Sequence, residues 1–267
     1  MGVRGLLTYL KSCHVIHHAN TNVSGWRFGL DGFSLMYLFK EDRDSFKKYL
    51  VELKEKGSLT VVMDKRAAKE KKQVVEERKE ARKEAREEAN MLVSTLASAV
   101  LDDRQKEILQ KAIAQKERQA WSLYSGYMKW LIELLTTLEI SLLWAEEEAD
   151  ELLAAGGYDV VVSSDSDLLI LGVQRLWLPR GVGIQHNEVC KDEFLKLVGL
   201  KGEGLLELSY LAGCDVQSKS LMTVKEAIGR LRFYGSMEAI HKRHPELVSE
   251  DDLKGYQTLR AGVWSRF

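Results

Sequence analysis

The amino-acid sequence predicts an α/β fold, in which the strands of a parallel sheet alternate with helices. Four short apolar runs, rich in branched side chains, have the length and composition of buried strands. The segments between the first two runs have the period of amphipathic helices, which indicates a right-handed parallel crossover. Each of the four runs leads directly into acidic residues. Because ligand sites in open α/β sheets lie at the carboxyl ends of the strands, these acids predict a site at that edge.

The first quarter of the chain contains the clearest succession of elements. A helix is predicted over residues 6–11, and it is followed by a strand that ends at Asp31. Two amphipathic helices come next, over residues 33–39 and 44–54. A second strand then ends at Asp64, so both aspartates are predicted to leave the sheet at the same edge.

The chain between Gly57 and Gly126 contains neither glycine nor proline, and residues 65–88 consist almost wholly of strong helix formers. Many of its glutamates stand three or four residues from a lysine or arginine, which favours solvent-exposed helices. A second long helix is predicted to begin at Asp102 and Asp103. An inserted pair of long helices between two strands is interpreted as an arch over the strand ends.

The remainder of the chain completes the sheet and then becomes helical. Strands are predicted to begin at Ile140 and to cover residues 159–163 and 175–178, with helices from Lys191 onwards. The whole chain is therefore interpreted as one domain in four parts. The parts are an amino-terminal portion (1–64), the helical arch (65–125), an internal portion (126–190) and a helical carboxyl-terminal region (191–267).

The composition is that of a water-soluble globular protein, with 30% charged and 45% hydrophobic residues. The formal net charge of -1 gives no indication of a polyanionic partner. Three cysteines without a CxxC spacing indicate a reducing compartment. Since the sequence contains neither a long apolar run nor a signal-peptide pattern, the protein is expected to be intracellular and not to bind membranes.

Two aspartates, Asp165 and Asp167, give the sharpest local signal, because they follow a predicted buried strand two residues apart. An alternative interpretation makes Asp165 a helix N-cap and Asp167 its first-turn neighbour. The acidic run at 146–151 can likewise begin a helix as a complement to the helix dipole. Asp31 and Asp64, taken singly, are also compatible with turn residues. These alternatives stay open on spacing alone.

The four acidic strand ends together favour a metal site, because so much negative charge at one edge requires a counter-ion. Hard divalent cations with oxygen ligands are the natural counter-ions, and the sequence therefore predicts metal-dependent phosphoryl transfer. A zinc site is not predicted, since the histidines near the amino terminus lack a matching Cys or His spacing. These histidines, interpreted as structural or surface residues, are His14, His17 and His18.

A stripe of basic residues lies on the first inserted helix. Lys71, Arg78 and Arg82 fall within an arc of about 40° on an α-helix. The interleaved glutamates favour an ordinary solvated face. If the inserted helices arch over a metal site, the stripe instead faces the phosphates of a substrate.

Several segments resemble the motifs of the flap endonuclease/XPG family of structure-specific nucleases, and the resemblance covers nearly the whole chain. They comprise the opening of the chain, the ends of the acidic strands and the end of a later helix. The matching segments are residues 1–6, 30–37, 62–64, 148–150, 164–169 and 212–215. The third of these acidic motifs, at 148–150, is most similar to the exonuclease branch of the family. The Ser-Ser-Asp-Ser-Asp sequence also resembles its Asteroid-like branch.

The resemblance implies a PIN-like parallel sheet with helices on both faces, and hydrolysis of DNA with two Mg²⁺ ions, for which Mn²⁺ can substitute. The metal ligands that it implies are Asp31, Asp64, Glu148, Asp150, Asp165, Asp167 and Asp215. Lys71 and Arg78 are implied to act from the arch, where they stabilise the charge of the scissile phosphate. Tyr37 is implied to stack on a base, and Gly2 and Arg82 to contact the nucleic acid.

The partner that the resemblance implies is branched DNA or DNA with a single-stranded end, handled in DNA repair or processing and in the nucleus if the source is eukaryotic. RNA is an alternative partner. The protein is expected to act as a monomer, and the motif that tethers family members to a sliding clamp is not seen. Two other classes stay open, namely an RNA nuclease of the PIN type and a non-catalytic nucleic-acid-binding protein that keeps the fold.

Three departures from the family pattern bear on function. Lys65 stands where the family has a glycine after the second acidic motif. The acidic run after the third strand allows either Glu146 or Glu148 as a ligand. Residues 218–227 lack the glycines of the family's helix–hairpin–helix, which weakens the expectation that this element binds duplex DNA.

Overall fold

The computed structural model describes residues 3–40, 42–65, 72–99, 101–122, 125–146, 148–181, 183–214 and 219–264. The chain forms two compact units. The first unit consists of Met1–Arg66 and Leu131–Phe267, and it contains the sheet. The second unit consists of Ala67–Trp130 and is helical.

The elements within the described residues follow the predicted order of strands and helices. In chain order they are α1 (Leu6–Ser12), β1 (His17–His18), β2 (Trp26–Asp31), α2 (Gly32–Phe39), α3 (Arg43–Lys54), β3 (Gly57–Asp64), α4 (Lys72–Ser98), α5 (Asp103–Ala120), α6 (Ser125–Thr137), β4 (Ser141–Ala145), α7 (Ala149–Ala155), β5 (Val160–Val162), α8 (Asp167–Ile170), β6 (Arg175–Pro179), β7 (His186–Cys190), α9 (Lys191–Val198), α10 (Gly202–Ala212), α11 (Val224–Tyr234), α12 (Met237–Arg243) and α13 (Glu250–Trp264). Helices α4 and α5 belong to the second unit.

In the described part of the chain, the strands form a seven-stranded sheet in the order β1-β7-β6-β5-β2-β3-β4. Neighbouring strands in the series β6-β5-β2-β3-β4 pair in parallel, as the sequence predicted. By contrast, β7 pairs antiparallel with both β6 and β1. The sheet is therefore mixed at one edge, where two short strands that the sequence analysis did not predict are added.

Helices cover both faces of the sheet, and successive residues of the central strands pack into a separate core on each face. Val161 and Leu176 join a buried apolar cluster that includes residues of α1 and of α9, α10 and α11. On the other face, the ring centroids of Phe28 and Trp177 lie 5.6 Å apart. Tyr49 of α3 continues this aromatic core, through ring contacts that His186 makes with both Trp177 and Tyr49. The nearly continuous apolar character of the central strands follows from this burial on two faces.

The fourth strand differs from the buried strand that its apolar sequence predicted. β4 lies at the edge of the sheet beside β3. Two of its large side chains, Leu143 and Trp144, are 46% and 37% exposed. The sequence thus predicted a strand correctly but its burial wrongly, because an edge strand packs against one neighbour only.

The second unit is built on two long helices, as the composition of residues 65–125 predicted. Helices α4 and α5 pack through buried apolar side chains, among them Ala85, Ala89 and Ile113. The side chain of Asp102 accepts the backbone N–H of Gln105 in a capping box at the start of α5. The function of these helices as an arch stays a prediction.

The carboxyl-terminal part forms helices α9 to α13, and no strand occurs there among the described residues, as predicted from Lys191 onwards. Helices α10 and α11 contribute many residues to the large apolar cluster on one face of the sheet. None of the helices in the described ranges combines the length and the apolar character that a membrane span needs.

Candidate active site

The strand order brings the carboxyl ends of β2, β3 and β5 together at one end of the sheet. This end, with Asp31, Asp64 and Asp165, is called the acidic edge below. β2 lies between β5 and β3, so the chain reverses its direction of travel across the sheet at β2 and β5. Asp31 ends β2 beside Val62 of β3, and Asp64 ends β3 two residues later. β5 runs parallel to β2 and ends at Val162, directly before the next acidic segment. Ligands of open α/β sheets bind outside the carboxyl ends of strands at such a switch point.

Asp31 is nearly buried, with 8% of its surface exposed. As the N-cap of α2, its side chain accepts the backbone N–H of Ser34 at 2.9 Å. Its other carboxylate oxygen accepts the hydroxyl of the buried Ser163 at 2.6 Å. The next residue must be small, because a Cβ at Gly32 would lie 2.6 Å from the Met63 side chain. These contacts hold the Asp31 carboxylate in one orientation at the end of β2.

Burial raises the pKa of Asp31 above its ordinary value near 3.8, although the hydrogen bonds from Ser163 and Ser34 oppose the increase. The negative charges of Asp165 and Asp64 add to the increase in pKa. Asp165 and Asp64 therefore both lie within electrostatic reach of Asp31. The ionised form of Asp31 is costly without a nearby positive charge, which a bound cation would supply.

The segment between β5 and α8 is ordered by hydrogen bonds among its own side chains and backbone. The Ser163 hydroxyl accepts the backbone N–H of Asp165 at 3.0 Å. The Asp165 carboxylate in turn accepts the backbone N–H of Asp167 at 2.9 Å. Ser166, not Asp165, occupies the N-cap position of α8, and Asp167 lies in its first turn, as the alternative interpretation has it. Because the Asp165 carboxylate accepts the N–H of the first residue of α8, a role of both aspartates at the start of this helix stays open. Both aspartates are half-buried.

Two serines join this segment to α2. Ser34 Oγ accepts the backbone N–H of Ser164 at 2.9 Å, and the two hydroxyl oxygens lie 2.7 Å apart. Together with Tyr37, Leu38 and Pro179, these serines line a cavity of about 240 Å³. Tyr37 is 39% exposed. An exposed aromatic side chain in this place can stack on a ligand that reaches the acidic edge.

Asp64 is tied to the start of α7. Its carboxylate accepts the backbone N–H of Ala149, the first residue of that helix. Glu148 occupies the N-cap position of α7, and Asp150 lies in its first turn. The acids of this motif therefore lie next to the helix end that the Asp64 carboxylate contacts.

Glu146, the alternative ligand in the acidic run, has a cationic partner. Its carboxylate accepts a hydrogen bond from the ammonium group of Lys65. The Glu146 side chain is 80% exposed. Glu148 as the ligand of this motif, with Glu146 as the alternative, stays a prediction. The sequence did not predict this ion pair.

The donor chemistry at this edge fits a hard divalent cation, since its acids offer carboxylate oxygens. Within the described ranges, however, no three acidic, histidine or cysteine side chains converge closely enough to hold a metal ion. Asp215, the last ligand that the resemblance implies, lies outside the described residues. The described acids form a charged cluster around Asp31 rather than a complete coordination sphere.

The predicted basic and amino-terminal contacts are only partly described. Gly2 and Lys71 lie outside the described residues. The backbone of Arg78 belongs to α4, but its side chain is not among those that the structure describes. Arg82 is half-buried on the same helix. The contacts of these four residues with nucleic acid stay predictions.

The three histidines near the amino terminus are exposed, as predicted. His17 and His18 form β1, and His17 Nε2 lies 3.5 Å from a carboxylate oxygen of Glu193. Nδ1 of His18 lies 2.8 Å from the guanidinium group of Arg180.

The fold is shared with structure-specific nucleases of known structure. The catalytic core of Rad2 in complex with DNA substrate matches with a TM-score of 0.63 at 16% identity, over 97% of this chain and 78% of that chain. Human GEN1 in complex with Holliday junction DNA matches with 0.57 at 16% identity, over 100% and 64%. Flap endonuclease-1 from Methanococcus jannaschii matches with 0.58 at 17% identity, over 96% and 83%.

The chain therefore has the fold of the flap endonuclease/XPG nucleases, as the resemblance of its motifs implied. Neither protein-family models nor curated proteins match the sequence. At these sequence identities, the structural likeness establishes the fold alone, and the chemistry has to be argued from the residues of this chain.

Sequence reasoning missed the hydroxyl groups that orient the acids. Ser163 and Ser164 stand directly before Asp165, and Ser34 stands three residues after Asp31, at the position where an N-capping carboxylate finds its backbone donor. That spacing predicts the Ser34 backbone contact. It does not predict the contact between the Ser34 and Ser164 hydroxyls, which joins segments 130 residues apart.

Proposed function

We propose that this protein is a divalent-metal-dependent nuclease that hydrolyses phosphodiester bonds near the junctions or single-stranded ends of branched DNA. The observation that carries the proposal is the buried Asp31 carboxylate, which lies within electrostatic reach of Asp64 and Asp165. Such a cluster is unfavourable without a cation, and clusters of this kind are typical of functional sites.

The solved structures with this fold support the choice of substrate. Rad2 was solved in complex with a DNA substrate, human GEN1 with Holliday junction DNA, and GEN1 with product DNA and a Mg²⁺ ion. By analogy, the proposed substrate of this protein is branched or single-stranded-ended DNA. The proposed cofactor is a pair of Mg²⁺ ions, which Mn²⁺ can replace.

The proposed metal ligands are acids at the carboxyl edge of the sheet, together with one acid outside the described residues. They are Asp31, Asp64, Glu148, Asp150, Asp165, Asp167 and Asp215. Two divalent ions held by these residues would activate a water molecule and stabilise the leaving oxygen of the phosphodiester.

The residues of the chain itself orient the ligands and receive the substrate. Ser163 and Ser34 each donate one hydrogen bond to Asp31, so its oxygens are directed before a cation arrives. Tyr37, in the wall of the cavity beside Ser34, is proposed to stack on a base, a contact worth about 1–3 kcal/mol. Because every base offers a ring face, stacking of this kind positions a nucleic acid without reading its sequence.

Basic residues of the second unit are proposed to act on the phosphates. Lys71 and Arg78 would stabilise the charge that develops on the scissile phosphate. Arg82, one turn further along α4, and Gly2 at the amino terminus would contact the nucleic-acid backbone. The roles of Lys71 and Arg78 follow the resemblance, whereas Arg82 is assigned by its place on the basic stripe of the same helix.

A cleavage assay tests the proposed function. Labelled 5′-flap, 3′-overhang, hairpin and single-stranded DNA, and single-stranded RNA, are incubated with Mg²⁺ or Mn²⁺. The double variant Asp165→Ala/Asp167→Ala removes two proposed ligands, and Asp251→Ala, in the first turn of α13, is the control. We expect cutting near a junction that requires metal, falls by more than about 100-fold in the double variant and is unchanged in the control.

The other outcomes are equally informative. Cutting of RNA but not of DNA would identify an RNA nuclease on the same fold. An absence of cutting, with branched DNA bound equally by the wild type and the double variant, would identify a non-catalytic binding protein. Metal-dependent cutting that survives in the double variant would contradict the proposed site.

A further inference from the structure

Lys65 extends the pairing of β3 with β4 by one residue beyond Asp64. Its backbone N–H donates to the carbonyl oxygen of Ala145 at 3.0 Å, next to the pair that Asp64 forms with Ala145 in the strand register. The side chain of Lys65 therefore begins at the acidic edge of the sheet. In the family whose motifs the sequence resembles, a glycine stands at this position, so the ammonium group belongs to this chain in particular.

The ammonium group of Lys65 contacts the carboxylate of Glu146, the first residue after β4. Both side chains are well exposed, with relative areas of 46% for Lys65 and 80% for Glu146. An exposed ion pair contributes little to the stability of a fold, because water and salt screen it. The pair can therefore be exchanged at little cost when another anion reaches the ammonium group.

A nucleic-acid phosphate is the anion that this edge is expected to receive. A phosphate that approaches Asp64 meets acids first, and a lysine beside them offsets part of the repulsion between the two negative charges. Lysine binds phosphate as a flexible point charge, and its stem allows the ammonium group to leave Glu146 without a change in the backbone.

We propose that Lys65 contacts a phosphate of the bound nucleic acid beside Asp64, and that Glu146 holds the ammonium group until the phosphate displaces it. This inference rests on the proposed function, because it needs a polyanionic substrate at the acidic edge. It adds a substrate-contacting residue in the first unit, separate from the basic residues of the second unit.

The two members of the pair are expected to have opposite effects on binding. In Lys65→Gln, the phosphate loses its cation, so the nucleic acid should bind about two- to fivefold more weakly. The slope of log K against log salt concentration should fall by about one, as for any lost phosphate contact. In Glu146→Gln, the ammonium group is released, and the same nucleic acid should bind more tightly. Lys65→Arg keeps the charge and should bind as the wild type does.

A similar ion pair at the amino ends of the same two strands provides the control. Lys54 Nζ lies 3.8 Å from a carboxylate oxygen of Glu139 and donates to the Leu138 carbonyl oxygen. Lys54 precedes β3 and Glu139 precedes β4, so this pair lies at the amino ends of the parallel strands. Lys54→Gln and Glu139→Gln should leave both affinity and salt dependence unchanged.

The experiment measures fluorescence anisotropy of labelled 5′-flap DNA, with Ca²⁺ in place of Mg²⁺ to limit cleavage. Salt is varied from about 50 to about 200 mM. Thermal unfolding of each variant shows whether a change in affinity accompanies a change in stability. Steady-state cleavage with Mg²⁺ should show a raised KM and a nearly unchanged kcat for Lys65→Gln, as expected for a lost binding contact.

The outcomes separate this inference from the proposed function. Opposite effects of Lys65→Gln and Glu146→Gln, with unchanged controls, support it. Equal weakening by both variants, together with a lowered melting temperature, would mean that the pair is only structural. If the wild type cuts the flap but Lys65→Gln binds with wild-type affinity and salt slope, the inference fails and the proposed function stands. If the wild type neither binds nor cuts, both fail.

Discussion

Asp31 illustrates, at the scale of single residues, how burial can prepare an acid to receive a cation. Its carboxylate has lost most of its water, which raises its pKa, while Ser163 and Ser34 each donate one hydrogen bond to it. These donors fix the direction of the oxygens but do not neutralise their charge. A divalent ion would neutralise it and would meet a ligand that is already oriented.

His186 is a buried histidine whose neutral form the fold requires. Its ring stacks on Trp177 with centroids 4.9 Å apart, and its Nε2 lies 2.8 Å from the Tyr49 hydroxyl. Burial lowers the pKa of His186 from 6.5 to about 4. The unfolded chain therefore takes up this proton at a higher pH than the folded chain does. The resulting stability is fully present above about pH 6.5 and is lost as the pH falls towards 4.

We expect His186→Gln to be less stable than the wild type at about pH 7.5 but to lose less stability on acidification. Between about pH 7.5 and about pH 5, the wild type should lose about 2 kcal/mol more than the variant. Chemical denaturation at both pH values measures the difference. His17→Gln, at an exposed histidine, should follow the wild type. Equal losses in the wild type and in His186→Gln would contradict the role of His186.

The residue contacts of the site were predictable only where they are local in sequence. Asp31, Asp64 and Asp165 were recognised because each follows an apolar run. The contact between Lys65 and Glu146 joins residues 81 positions apart, and no local pattern indicates it. Such contacts depend on which strand ends meet, and that information lies in the packing.

The elements themselves were predicted with unequal success, and burial explains the difference. β2, β3 and β5 are apolar because helices cover both faces, and apolar runs are easy to recognise. β1 consists of two histidines and β7 of His-Asn-Glu-Val-Cys, so the polar side chains of the antiparallel edge conceal these strands. β4 has the apolar sequence of an interior strand and nevertheless lies at the other edge.

Glu207 shows how one helix can cap another. Its carboxylate, on α10, is buried and accepts the backbone N–H of Met237, the first residue of α12, at 2.9 Å. Burial raises the pKa of Glu207 above its ordinary value of 4.5, although the Met237 hydrogen bond opposes the increase. The stability that this group contributes is therefore present below about pH 4.5 and is lost as the pH rises through its raised pKa.

We expect Glu207→Gln to be at least as stable as the wild type at neutral pH, because the amide oxygen still accepts the Met237 N–H without a buried charge. Glu207→Ala, which leaves that N–H without its acceptor, should lose about 1–3 kcal/mol. Urea unfolding of the three proteins measures the two differences. A loss in Glu207→Gln as large as that in Glu207→Ala would show that the charge itself stabilises the start of α12.

The candidate site of the whole molecule is a consequence of strand order. The sequence predicted parallel strands and therefore acids at one end of the sheet, but it did not predict that β5 lies beside β2. That neighbourhood places Asp31 next to Ser163 and within reach of Asp165. Strand order depends on contacts between segments more than a hundred residues apart, as in the pair of Phe28 with Val160. Local sequence patterns do not contain it.

The central claim for the whole molecule is that the acidic edge of the first unit binds divalent metal. Thermal unfolding of the wild type and of Asp31→Asn, with and without Mn²⁺, tests it most directly. The amide oxygen of asparagine still accepts the Ser34 N–H, and its NH2 group can donate to the Ser163 hydroxyl oxygen, but the charge is removed. Metal at about 100 times its Kd should stabilise the wild type by about 2.7 kcal/mol and raise its melting temperature, whereas Asp31→Asn should gain much less. A melting temperature of the wild type that Mn²⁺ does not raise, or an equal increase in both proteins, would contradict the account.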